Sequence, residues 1–247
     1  MNFALRLACA AALCAFSSGS SSGTPLAPRF EHFVLETLDA PGAARIVGTL
    51  RLGSSEQGAK RVLESDTRFA REARDESNVR VFEVEELFAG RAALTWREVS
   101  PGSGRTLSAE WNGQSNGLEV YECGAGAPVR ERQISVEGAL FPLYLQELVR
   151  TGRITSGSVP CFDPLGRTIE RLTIKTAYEW DTERAGERAR TVAIERTDGT
   201  LWGSYSFVGT RLVALQWQVG GARARAVDEA EFTRASAALE PTAPAAR

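Results

Sequence analysis

The feature that most constrains this chain is the close, regular spacing of its turn signals. From residue 44 to residue 232, short runs of alternating apolar and polar residues are cut by Gly, Asn or Asp. Strands joined by such short loops must lie antiparallel to their sequence neighbours. Asp198-Gly199 and Gly220-Gly221 each separate two runs as a tight hairpin does, and Asn112-Gly113, Gly90 and Pro101-Gly102 mark further corners. The spacing predicts a first set of strands at 44–52, 78–88, 91–99, 105–111, 118–123 and 129–136. A second set is predicted at 168–180, 188–196, 201–208, 212–219 and 222–232. Residues 59–75 are ambiguous: Val62, Leu63, Phe69 and Ala70 recur seven apart as on a helix, while the hairpin rhythm around them favours one more strand, the reading adopted.

Alternation within the strands indicates what they face. Leu172, Ile174, Tyr178 and Trp180 fall on one side of their run, as do Val213, Leu215, Trp217 and Val219 of theirs. Other runs are apolar on both sides: Leu201, Tyr205 and Phe207 oppose Trp202 and Val208, and Val79 and Val81 oppose Phe82 and Val84. A sheet with two apolar faces needs cover on the second.

Between the two sets lies "FPLYLQELVRTG", which supplies a helix over about 142–151. Phe141, Tyr144, Leu145, Leu148 and Val149 form one apolar stripe, with Gln146, Glu147 and Arg150 away from its centre. Pro142 suits the first helical position and Gly152 the residue after the end, whereas Phe141 is a poor N-cap. About ten residues give a helix of about 15 Å, enough to cross three strands. The expected fold is mainly β: one domain over residues 30–233, a large antiparallel meander wrapping one amphipathic helix. Residues 24–29 read as a linker, and 234–247, rich in Ala and Pro, as a disordered tail.

Charge excludes one class of partner. The chain has 29 Lys and Arg against 31 Asp and Glu, interspersed rather than gathered into a basic stripe, so no nucleic-acid partner is expected. Residues 1–23 have the layout of an export signal: Arg6, an apolar stretch from Leu7 to Phe16 too short to span a bilayer, then small residues. Cleavage falls between Ala15 and Gly23, or else Cys14 is lipidated, the one route by which a membrane enters; Leu13 stands where a lipoprotein signal wants a small residue. Either route places the mature protein in the periplasm, envelope or medium.

Of the four cysteines, Cys123 and Cys161 remain after the signal. Outside the cytoplasm a lone pair reads as a disulfide, the alternative being two buried thiols. Such a bond closes a loop of roughly 40 residues and is worth about 4 kcal/mol in the chain-entropy account.

No catalytic, metal or cofactor site is assigned. The one histidine, His32, sits in "FEHFVLE", which reads as an edge strand with the ring outward. Two cysteines and one histidine far apart do not make a zinc site. "GAGAP" at 124–128 lacks the helix and Lys-Ser/Thr of a phosphate loop and is a turn. Glu83, Glu85 and Glu86, or Asp228, Glu229 and Glu231, leave room for a glycosidase-like carboxylate pair; solvated strand faces are the plainer reading. The five tryptophans, Trp96, Trp111, Trp180, Trp202 and Trp217, suit core filling, with a sugar platform or cavity lining as the alternative.

The succession of an export signal, strands, "ALFPLYLQELVRTG", "CFDPLGRTIERL" and the closing "LVALQWQVGGARARAVDEAEF" resembles exported bacterial β-rich proteins, including ones from planctomycete-type genomes. The layout is similar to the curved-sheet group of the lipoprotein-localisation factors and related periplasmic domains, over most of residues 30–233. That resemblance implies an incomplete barrel whose concave side holds a lipid or other apolar ligand. It places Tyr144, Leu145, Leu148 and Val149 against that side, with Phe141 and Trp217 as further candidate ligand contacts. The localisation factors carry more helix over the opening than is found here. A non-enzymatic binder of a hydrophobic ligand, or an envelope interaction module with a protein partner, is the function expected. A carboxylate-dependent hydrolase of envelope polysaccharide and a purely structural domain are the alternatives.

Overall fold

The computed structural model describes residues 29–37, 45–70, 79–88, 91–100, 103–112, 117–123, 129–135, 138–181, 188–217 and 222–239. Residues 1–23, expected to be an export signal and including Cys14, the 24–28 part of the expected linker and residues 240–247 lie outside the described residues, as do the side chains of Cys123, Trp180 and Trp217.

The described strands are β1 (Arg29–Thr37), β2 (Arg45–Gln57), β3 (Lys60–Phe69), β4 (Arg80–Phe88), β5 (Arg91–Ser100), β6 (Ser103–Asn112), β7 (Gly117–Cys123) and β8 (Val129–Ser135). After helix α1 (Pro142–Arg150) come β9 (Gly157–Asp163), β10 (Thr168–Asp181), β11 (Arg188–Glu195), β12 (Leu201–Val208), β13 (Arg211–Trp217) and β14 (Ala222–Val227), and then helix α2 (Glu229–Leu239). All fourteen strands belong to one sheet in the order β8-β7-β6-β5-β4-β3-β2-β1-β14-β13-β12-β11-β10-β9. Every strand pairs antiparallel with its neighbours. The sheet is two meanders, β1–β8 and β9–β14, joined where β1 pairs β14. It is not closed into a barrel, because β8 and β9 stand at opposite ends of the order.

The sheet is bent around α1. Glu85 of β4 hydrogen-bonds the first turn of α1 and Arg190 of β11 its last carbonyls. β4 and β11 are seven strand steps apart in the sheet order. Flat, that is about 34 Å at the usual strand spacing, while nine helical residues rise about 14 Å. Only a strongly curved sheet brings both strands to one short helix. Its concave face carries Phe33, Leu50, Leu63, Leu94, Trp96, Leu107, Leu118, Val159, Leu172, Val192, Ile194 and Phe207, all buried. Phe141, Tyr144, Leu145, Leu148 and Val149 of the helical stripe, at most 2 % exposed, pack into it. Gly152 ends α1 at φ 70°, and Arg153 N–H returns to Leu148 O at 2.9 Å.

Residues 60–69, within the ambiguous stretch, form β3, while 71–75 fall outside the described residues. Five sequence expectations are corrected. His32 lies on a central strand, between β2 and β14, and its ring stacks on Phe232 of α2 at 4.6 Å. Residues 229–239 are helix rather than strand and tail: Asp228 Oδ1 accepts Glu231 N–H at 2.7 Å, Glu229 and Glu231 suit the positive end of the helix dipole, and Ala235 is buried. Packed on the convex side of β1 and β2, α2 explains why Val34 and Thr49, outward-facing neighbours, are buried. Tyr178 does not share the face of Leu172 and Ile174, because the β10–β11 register slips between Thr176 and Tyr178; it lies opposite Thr191 and is 72 % exposed. Glu147 is buried, not peripheral.

The fifth correction is the disulfide. Cys161 is a buried free thiol, and no Cys123–Cys161 bond is present. β7, which carries Cys123, is not a neighbour of β9 in the sheet order.

Candidate functional site

The most unusual chemistry lies at the N-terminus of α1. β4 reads Arg-Val-Phe-Glu-Val-Glu-Glu-Leu-Phe, and its register sets Glu83 opposite Trp96 and Glu85 opposite Leu94. Both carboxylates therefore face the concave side, while Phe82 and Val84 face out, Phe82 beneath the Arg80 guanidinium at 4.1 Å. Glu85 is completely buried. Glu83 is half-buried as a residue, yet its Oε1 is enclosed without a hydrogen-bond partner.

Glu85 does what Phe141 cannot. Leu143 N–H donates to its Oε1 at 2.6 Å and Tyr144 N–H to its Oε2 at 2.7 Å, so a carboxylate from the sheet caps a helix that has no side-chain cap of its own. The negative charge lies where the helix dipole favours it. Glu83 and Glu85 lie two residues apart on the same face of β4, and each acts on the ionisation of the other. Burial pushes Glu83 up to about 7, opposed by Glu85 and reinforced by Asp163. Burial and then the charge of Glu83 push Glu85 well above the carboxylate range, against the pull of the two helix N–H groups. The pair titrates as a unit and holds a proton at neutral pH.

β9 closes the site. Leu140, just before α1, bridges β9: its N–H donates to Pro160 O and its O accepts from Phe162 N–H, both at 2.9 Å. Phe141 meets the Phe162 ring edge-on at 6.2 Å. Cys161 and Tyr205 lie in the same electrostatic neighbourhood; burial first, then the acid pair, push both the thiol and the phenol up, so neither supplies a nucleophile at neutral pH.

At the far end Arg190 Nη2 donates to Val149 O at 2.7 Å and Arg150 O at 2.9 Å, completing the dipole match. Along its side, Glu147 accepts from Arg61 and from Arg150 Nε (2.7 Å), and Arg150 reaches Glu31 at 3.4 Å. Burial raises Glu31, against the pull of Arg150 and Arg29. A recess of about 30 Å³ lies here, lined in part by Arg29, Glu31, Leu63, Leu143, Glu147 and Arg150. It has room for about two waters and is about a tenth or less of a ligand pocket in volume.

Of the residues singled out as ligand contacts, Phe141, Tyr144, Leu145, Leu148 and Val149 come together in the hollow and fill it; the Trp217 side chain lies outside the described residues. Trp96 and Trp111 are core residues. Asp228, Glu229 and Glu231 gather at the start of α2, where Asp228 caps and Glu231 pairs with Arg225 at 2.9 Å. Among the described residues no group of His, Cys, Asp and Glu is arranged to hold a metal ion. Sequence reasoning missed Glu85 as a cap because its partner amides are 58 and 59 residues away; an apolar residue at the N-cap, with nothing local to satisfy the first turn, was the available signal.

No protein-family model, curated protein or solved structure matches the chain.

Proposed function

We propose that this chain is an exported, non-enzymatic module of the cell envelope that meets a protein partner through its surface, its apolar hollow being occupied by its own helix. The observation that carries this reading is the seating of Phe141, Tyr144, Leu145, Leu148 and Val149, each at most 2 % exposed, where an acyl chain would otherwise lie. At about 1.5–3 kcal/mol per buried side chain, a ligand entering there displaces packing on the order of 10 kcal/mol, an upper bound. Export rests on the charged, apolar and small-residue succession of residues 1–23. The hydrolase alternative loses support because Glu83 and Glu85 face the core, and Glu85 caps a helix, instead of lining a cleft. For an envelope protein, the outer side of β8, an end strand among the described residues, offers an edge for strand addition.

A second reading, carriage of an apolar ligand once α1 moves, is favoured by one observation. The helix is fastened at both ends by polar side chains of the sheet, Glu85 and Arg190, rather than by apolar contact alone. Native mass spectrometry and lipid extraction of protein purified from its own envelope fraction separate the two. A ligand-free mass is expected; a lipid bound in stoichiometric amount overturns the first reading in favour of the second.

A further inference from the structure

We propose that Glu83 and Glu85 form a pH-operated clasp: while they share a proton they seat the N-terminal turn of α1 in the hollow, and loss of that proton unseats it. The geometry makes the pair and the helix one unit. Both oxygens of Glu85 are engaged by the amides of Leu143 and Tyr144, and Glu83 lies two residues away on the same face of β4. Glu83 Oε1 is enclosed without a partner, so a second charge has no donor to receive it.

The cations that face the same side from neighbouring strands, Arg61 of β3 and Arg105 of β6, are engaged by Glu147 and Glu122, and the other ionisable groups are acids. From β9 come Asp163 and Cys161, and from β12 Tyr205; Glu170 of β10 acts on Cys161. Each of these is an acid, so ionisation of any of them adds negative charge beside the pair. With one proton shared, a single negative charge faces two helix amides, an arrangement the dipole favours. With none, two carboxylates lie side by side in an apolar wall, and the available relief is water. Water reaches them by separation of β4 from the first turn of α1 and the Leu140 bridge to β9, because these cover the pair. The last turn keeps its own fastening through Arg190, so the helix loosens from its N-terminal end.

The test is amide hydrogen exchange of the whole protein between pH 6 and pH 9, corrected for the intrinsic rate. Protection of the Leu143 and Tyr144 amides is expected to fall relative to the core amides of β1, by up to about tenfold for each pH unit past the titration of the pair. In Glu83→Gln, where no second carboxylate can ionise beside Glu85, the ratio is expected not to fall. A ratio independent of pH in the wild type, or an equal fall in Glu83→Gln, overturns the proposal. Should that variant not fold, the carboxyl carbon shift of Glu83 in the wild type takes its place. A midpoint coincident with the loss of protection supports the clasp, and a separate midpoint overturns it.

Discussion

Glu85 is the residue on which most of the central arrangement turns. It satisfies two of the amides that a helix start leaves open, in a place where no water is at hand. Glu85→Gln keeps the shape but sets an amide NH₂ against a helix N–H. A loss of about 1–3 kcal/mol is expected, measured by urea unfolding with an unchanged denaturant slope. Glu83 governs pH dependence. Its ordinary value is 4.5 and burial raises it to about 7 in the folded state, so the folded protein holds this proton more tightly than the unfolded chain. Its contribution to stability is full below pH 4.5 and is lost as pH rises through about 7, on the order of 3 kcal/mol in all. Unfolding free energies taken across that window should decline in the wild type and decline less in Glu83→Gln, where Glu85 alone is left to titrate. The alternation of β4 suits either face, since Phe82 and Val84 offer as good an apolar row as Val81 and Leu87. Cross-strand partners decide between them, and these are not local to the strand.

At the scale of elements, what distinguishes legible from illegible segments is whether their reasons are local. α1 was legible from its stripe, its Pro142 start and its Gly152 stop, and the structure places the helix at Pro142–Arg150. β9 was not, since Pro160 argues against a strand. Pro160 sits on an end strand and its carbonyl points outward to Leu140, so its missing N–H costs no bond to β10. α2 had a local signal that went unread, the capping pattern from Asp228 to Glu231. Asp228→Ala is expected to cost about 1 kcal/mol, visible as a lower thermal midpoint and as faster exchange of the α2 amides. Gly48 is a matter of close approach. A Cβ there would meet Arg68 O at 2.3 Å and Leu35 Cδ1 at 2.8 Å. Gly48→Ala is expected to destabilise by about 1–3 kcal/mol in chemical unfolding, because the backbone of β3 cannot yield as a side-chain tip can.

For the whole molecule, stability rests on the sheet and its two helices, not on a covalent brace. Cys161 is free and buried, with its Sγ 3.8 Å from the Phe162 carbonyl. A thiol reductant is therefore expected to leave the melting temperature unchanged, and thiol reagents to reach Cys161 only on unfolding; a midpoint lowered by reductant would contradict the free thiol. The join between β1 and β14 ties residues about 190 apart in the chain. The loop-closure entropy of such a pairing makes folding slow for the chain length.

The antiparallel meander, the single mid-chain helix and its buried stripe were determined by the sequence alone, because turn residues, period-two alternation and the helical period act over a few neighbours. Only the tertiary structure decided that the sheet bends until β4 and β11 meet the same helix and that α1 fills the hollow. It also decided that two glutamates of an ordinary-looking strand turn inward and that one of them, Glu85, caps that helix. These outcomes depend on which distant backbone groups are left without water and which side chains can reach them.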